Sequence, residues 1–150
     1  MESVTKRSAR AILIDDHGDL VLIKRMQPGK APYWTAPGGS IEPDDPSVEA
    51  ALVRELREEL GAEVAFAQQV FLVSSPAGDG VQHFFVCRLR QLDLSRRCGP
   101  EFDDPARGSY NLDRVPLTGD DLAQVDLRPV ELRTFILANR VALLDAAGIS

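Results

Sequence analysis

Arg54, Glu55, Glu58 and Glu59 lie together in the stretch VRELREELGA, and their types and spacing suit the capture of a cation. On a helix, Glu55, Glu58 and Glu59 are related by i, i+3 and i+4, which puts their carboxylates on one face within reach of a shared ion. Like charges held so close disfavour a helix by roughly 0.2–0.5 kcal/mol per pair unless a divalent metal or a strongly basic partner lies among them. Leu52, Val53, Leu56 and Leu60 fall on the adjoining arc as an apolar stripe. One face of the helix therefore packs while its neighbour coordinates.

The surrounding elements must hold that face in place. Residues 9–24 contain two apolar runs, AILI and LVLI, around the turn-forming Asp15-Asp16-His17-Gly18-Asp19, and predict an antiparallel hairpin. Neither run alternates apolar with polar residues, so both faces of the sheet should be covered, as in an α/β/α sandwich with a mixed β-sheet. Lys24 and Arg25 lead into a Pro- and Gly-rich loop where Lys30, Tyr33 and Trp34 stand. The three cations could meet phosphate oxygens or solvent, and the two aromatics could stack on a base or pack locally. Residues 63–73 and 81–89 read as strands, the second carrying His83 as a buried histidine satisfied by a neighbour rather than a ligand. Residues 91–109 read as a long polar loop, a length usually tied to function or disorder. Within it Glu101, between Pro100 and Phe102, is the carboxylate best placed to complete a site. A strand over 110–117, a helical turn at DLAQV and one last helix opened by Pro129 finish the chain.

Residues 39–62 resemble the signature of the MutT/Nudix pyrophosphohydrolase family: Gly, five residues, Glu, seven residues, then Arg-Glu-aliphatic-any-Glu-Glu-any-Gly-aliphatic. Arg54 to Gly61 match its second half in register. In the first half Asp45 stands where the family has Glu, and eight residues separate it from Arg54. The extra residue lengthens the turn before the helix and leaves Asp45, Asp44 and Glu42 as alternative partners for Arg54. The resemblance implies a Nudix-type α/β/α fold and Mg²⁺ (or Mn²⁺) as cofactor. It implies hydrolysis of the pyrophosphate linkage in a nucleoside diphosphate joined to another moiety, such as a nucleoside triphosphate, nucleotide sugar or ADP-ribose. By the same resemblance Glu58 and Glu59 are metal ligands, Glu55 is a third ligand or the base on the attacking water, and the Gly38 carbonyl is a further ligand. Arg54 ties the turn to the helix, Glu101 supplies a base or an additional ligand, and Arg25, Tyr33 and Trp34 are candidate substrate contacts. The alternative is a nucleotide-sensing module on the same fold that binds without turnover, a reading favoured by the extra residue before Arg54.

The chain has 150 residues, 44% of them hydrophobic, which suits one domain over 1–150 with its own core. A formal net charge of -6 argues against a nucleic acid polymer as partner. No run reaches the ~18 apolar residues of a membrane span, and the start lacks the apolar core of a signal peptide, so a cytoplasmic protein is expected. Cys87 and Cys98 lack metal-site spacing and read as reduced thiols. A homodimer is compatible with the sequence.

Overall fold

A computed structural model of the chain describes residues 6–75, 80–96 and 109–149. The predicted hairpin is present as β1 (Lys6–Ile14) and β2 (Asp19–Met26), with Leu13 opposite Val21 and Ile14 opposite Leu20. Its turn is closed by the buried carboxylate of Asp15, which accepts from the His17 and Asp19 N–H groups at 2.9 and 3.0 Å and pairs with Arg114. His17 itself is exposed.

Around the hairpin the chain adds β3 (Tyr33–Thr35), β4 (Gly38–Ser40), helix α1 (Val48–Leu60), β5 (Ala62–Ser74), β6 (Gly80–Leu92) and β7 (Ser109–Pro116). It continues with α2 (Asp121–Gln124), β8 (Leu127–Arg128), α3 (Val130–Ala138) and α4 (Arg140–Ala146). The strands form a mixed sheet in the order β5-β6-β1-β2-β3-β8, with β4 also paired to β1 and β7 to β2. The β1–β6 and β3–β8 pairs are parallel and the others antiparallel.

Strand alternation divides the apolar residues between two cores. Ile12, Ile14, Leu20, Leu22, Phe84 and Val86 meet Leu122, Leu132, Ile136 and Leu143 of α2, α3 and α4. Leu13, Val21, Ile23, Phe85 and Cys87 meet Ala51, Leu52, Leu56 and Leu60 of α1 on the opposite face. Both faces are covered, which is why the hairpin strands read as continuous apolar runs. Burial pushes the Cys87 thiol up to about 12, so it behaves as a core residue.

Two features depart from the sequence reading. The last helix is not continuous: Asn139 leaves the helical region at φ -128, ψ 27, and its side-chain amide donates to the Phe135 carbonyl at 2.8 Å, so α3 ends there and α4 starts anew. Within the polar stretch after residue 91, β6 runs to Leu92 and a 3₁₀ turn follows at Leu94–Arg96. Glu101 and Cys98 lie outside the described residues. Among the described residues no helix is long and apolar enough to cross a membrane.

Because Leu56 is fully buried between α1 and the sheet, Leu56→Ala should destabilise the protein by about 2–5 kcal/mol in urea denaturation. A loss under 1 kcal/mol would mean that α1 is not anchored through this face.

Candidate active site

Helix α1 starts where Ser47 accepts from the Ala50 N–H at 3.0 Å, and stops at Gly61, which takes the left-handed conformation at φ 59, ψ 35. A Cβ at Gly61 would run into the Asp93 carbonyl, so this stop admits only glycine. Between those ends the helix presents Arg54, Glu55, Glu58 and Glu59 to the Gly38-Gly39 turn, and the turn fits around them. The Gly38 N–H donates to Glu59 Oε1 at 2.9 Å, within a site where Glu59 is only 8% exposed. Gly38 has φ 141 and lies against the Ala9 carbonyl, leaving no room for a side chain. At Gly39 an added Cβ would strike the Glu55 carboxylate. Glycine is thus required at Gly38 by close approach to the β1 backbone, while the contact at Gly39 is with the movable end of Glu55.

Arg54 is the basic partner that the clustered carboxylates need. Its Nε and Nη2 donate to the two oxygens of Asp45 at 3.0 and 2.8 Å, a bidentate fork. Its Nη1 donates to Glu55 at 3.0 Å and approaches Glu58 at 3.3 Å, and Nη2 also reaches the Ser40 carbonyl at 3.1 Å. Of the three carboxylates left open by the sequence, Asp45 is therefore the partner. It also closes its own turn by accepting from the Glu42 N–H at 2.8 Å. The Arg54 hydrogen bonds, reinforced by the backbone of Glu42, lower the Asp45 carboxyl to about 2, and the same pairing raises Arg54 above its usual value.

A polar cleft of about 440 Å³ opens at Glu55, Glu58 and Glu59. Gly38, Gly39, Ser40, Glu55, Glu58 and Glu59 line it together with Arg10, Arg25, Thr35 and Tyr110. Arg10 donates to the Ala36 carbonyl at 2.9 Å, and the Arg25 guanidinium lies 3.7 Å from the Tyr110 ring centroid. Sequence reasoning missed Arg10 and Thr35; a lone arginine inside the first apolar strand was the available signal. Tyr33 shares the Arg25 side of the sheet and sits 4.3 Å from the Arg128 guanidinium. Trp34 goes to the opposite face, donating to Asp113 at 2.8 Å and packing against the core under α2 and α3. The structure thus brings Arg25 to the carboxylates and directs Trp34 away from them.

The cleft's donors are carboxylate, hydroxyl and backbone carbonyl oxygens, the set that magnesium and manganese prefer. Among the described residues, no three His, Cys, Asp or Glu side chains stand gathered for an ion as they are placed. Their oxygens are engaged instead by Arg54 and by the Gly38 N–H. The donor chemistry fits such an ion once those side chains turn from these partners.

A mixed sheet between helix layers, with a Gly-Gly turn clasping an RExxEE helix, defines a NUDIX domain. The model of that domain matches residues 4–126, and the chain belongs to the family. The chain is 44% identical over 61 residues to the CTP pyrophosphohydrolase of Escherichia coli (strain K12), covering 40% of this chain and 44% of that protein. It spans about half the length of the curated relatives it matches. Among solved structures, the E. coli ORF135 protein shares 24% identity and a TM-score of 0.65, over 93% of this chain and 94% of that one. An ADP compounds hydrolase gives a TM-score of 0.68 at 21% identity, over 97% of this chain and 76% of that one. The two structures share the fold with this chain.

The Asp45 carboxyl has a lowered folded value, so its contribution to stability is complete above its unfolded value of 3.8 and is lost as pH falls towards about 2. Carboxyl ¹³C NMR should place the Asp45 midpoint near 2 in the native protein and near the ordinary value in Arg54→Met. Equal midpoints in the two proteins would show that Arg54 does not hold Asp45.

Proposed function

We propose that this chain is a Mg²⁺- or Mn²⁺-dependent pyrophosphohydrolase acting on a nucleoside diphosphate derivative, with nucleoside triphosphates as the first class to test. The observation that carries this reading is the cleft itself, whose lining brings together Glu55, Glu58 and Glu59 with Arg10 and Arg25. A pyrophosphate needs cations on its oxygens and a carboxylate-lined place for a water, and this cleft supplies both kinds of wall. The CTP pyrophosphohydrolase relative supports the choice of nucleotide.

In this reading Glu58, Glu59, Glu55 and the Gly38 carbonyl hold the ion. When bound, the ion neutralises phosphate oxygens and lowers the pKa of a coordinated water. The protein's own side chains do the rest. Glu55, held beside Gly39, is a third ligand or receives the proton of the attacking water, and Glu101 is the alternative base or an added ligand. Arg25 contacts the phosphate chain, with Arg10 beside it; Tyr33 flanks the substrate end of the cleft. Arg54 orients the carboxylates and fastens the Asp45 turn to α1. That fastening survives the extra residue before the helix, so the feature that favoured a non-catalytic sensor leaves the catalytic half of the box intact.

Purified protein with Mg²⁺ should release product from at least one member of a panel of nucleoside triphosphates, nucleotide sugars, ADP-ribose and dinucleoside polyphosphates. Chelation should abolish turnover, and Glu58→Gln or Glu59→Gln should lower kcat by about a hundredfold or more, equivalent to roughly 2.7 kcal/mol of transition-state stabilisation. Full turnover in EDTA, or unchanged kcat in both variants, would refute the metal-carboxylate mechanism. No product from the whole panel would refute the hydrolase reading.

A further inference from the structure

Arg25 reaches the cleft as one member of a row in which tyrosines and arginines alternate. At this level β2 has β7 on one side and β3 on the other, and Arg25 stands opposite both Tyr110 and Tyr33. Arg128 of β8 stands opposite Thr35, two residues on from Tyr33. Directly paired residues project on the same face of a sheet. Here it is the α1 face, because Ile23, Tyr110 and Leu112 belong to or pack against the core under that helix. The Arg25 guanidinium carbon lies 3.7 Å from the Tyr110 ring centroid and 5.8 Å from that of Tyr33. Arg128, paired with Asp126 at 3.1 Å, ends the row 4.3 Å from the Tyr33 centroid. Of these four side chains, Arg25 and Tyr110 line the cleft.

The two contacts on Arg25 differ in kind. A separation of 3.7 Å falls within the ~3.5–4.0 Å at which carbon surfaces touch, so the guanidinium lies flat on the Tyr110 ring; standing on edge, its nitrogens would enter the ring. At 5.8 Å, Tyr33 is close to the ~6 Å limit of attraction between a cation and an aromatic face. Stacking engages the face of the guanidinium and uses none of its N–H donors, which lie in its plane and radiate from its edge. The plane that Tyr110 sets therefore decides where those donors point. An arginine sampling many rotamers must be ordered by its ligand, which weakens binding, whereas a stacked arginine has already been ordered by the fold.

We propose that Tyr110 is a positioning residue for phosphate binding that acts through Arg25: its ring, not its hydroxyl, holds the guanidinium in the plane from which its N–H groups meet phosphate oxygens in the cleft. Tyr33 supports the same guanidinium from the neighbouring strand, with a smaller effect because its ring is farther away. The assignment rests on the reading that the cleft takes a nucleoside diphosphate derivative, but its test reads binding and does not need turnover. It gives Tyr110 no contact with the base.

The test is an NMR titration of the full chain, in Mg²⁺, with methylenediphosphonate, a non-hydrolysable diphosphate that carries no base on which Tyr110 could stack. The Arg25 Nε–H is followed, and circular dichroism confirms that each variant folds. The wild type should bind the probe, and Tyr110→Phe, which keeps the ring, should stay within about twofold of it. Tyr110→Leu should bind about tenfold more weakly and Tyr33→Leu about threefold more weakly. Arg25→Ala should also weaken binding, and adding Tyr110→Leu to it should change the affinity by less than about twofold, because nothing is left to position. No binding by the wild type, a loss of about tenfold in Tyr110→Phe, or an unchanged affinity in Tyr110→Leu would overturn the proposal. So would a larger loss from Tyr33→Leu than from Tyr110→Leu, or losses that add in the double variant. Tyr110→Phe keeps the test decisive even if Tyr110→Leu does not fold. Any of the overturning results in a protein that hydrolyses nucleotides leaves the hydrolase reading standing. Binding that depends on the Tyr110 ring in a protein that hydrolyses nothing would refute the hydrolase reading alone.

Discussion

Arg54 holds together a region that electrostatics would otherwise push apart. The same guanidinium meets Asp45 in a bidentate pair, donates to Glu55 and approaches Glu58. Neutral replacement would remove the guanidinium that Asp45, Glu55 and Glu58 share. One Glu59 oxygen is held by the Gly38 N–H. The turn and the helix are thus each other's scaffold. Gly38, without a side chain, passes close to β1, Gly39 passes close to the Glu55 carboxylate, and Arg54 engages Glu55 and Glu58.

The sheet supplies the rest of the geometry. β4 pairs with β1, β3 pairs with β2, and β7 pairs with β2, so Gly38, Arg25 and Tyr110 come from distant parts of the chain to one cleft. Register decides which neighbours take part. Arg25 and Trp34 are both close in sequence to the turn, yet they belong to opposite sides of the sheet because alternate residues of a strand point apart.

Much of this was legible in the sequence, for identifiable reasons. The hairpin and the two-sided burial followed from uninterrupted apolar runs, and α1 followed from its apolar stripe with Gly61 as a stop. The three-residue strands β3 and β4 and the two-residue β8 were not legible, because pairs formed across the chain define them and local periodicity is too short to reveal them. The break at Asn139 depends on one side chain capturing the Phe135 carbonyl, an outcome that competes with an otherwise helical pattern. Arg54's partner was narrowed to Glu42, Asp44 or Asp45, and the choice needed coordinates because each is within a few residues of the same turn. Arg10 escaped notice since a charged residue within a strand says nothing of which cleft it borders until the neighbouring strands are known.

The central proposal is that Glu55, Glu58 and Glu59 turn from Arg54 and the Gly38 N–H to hold a divalent ion. Its most direct measurement is a crystal structure with Mn²⁺ and a non-hydrolysable nucleotide, the ion located by anomalous scattering. The account predicts Mn²⁺ bounded by oxygens of these glutamates and the Gly38 carbonyl, with Arg54 still bidentate on Asp45. Manganese bound away from α1, or bound there only after the Arg54–Asp45 pair has broken, would contradict it.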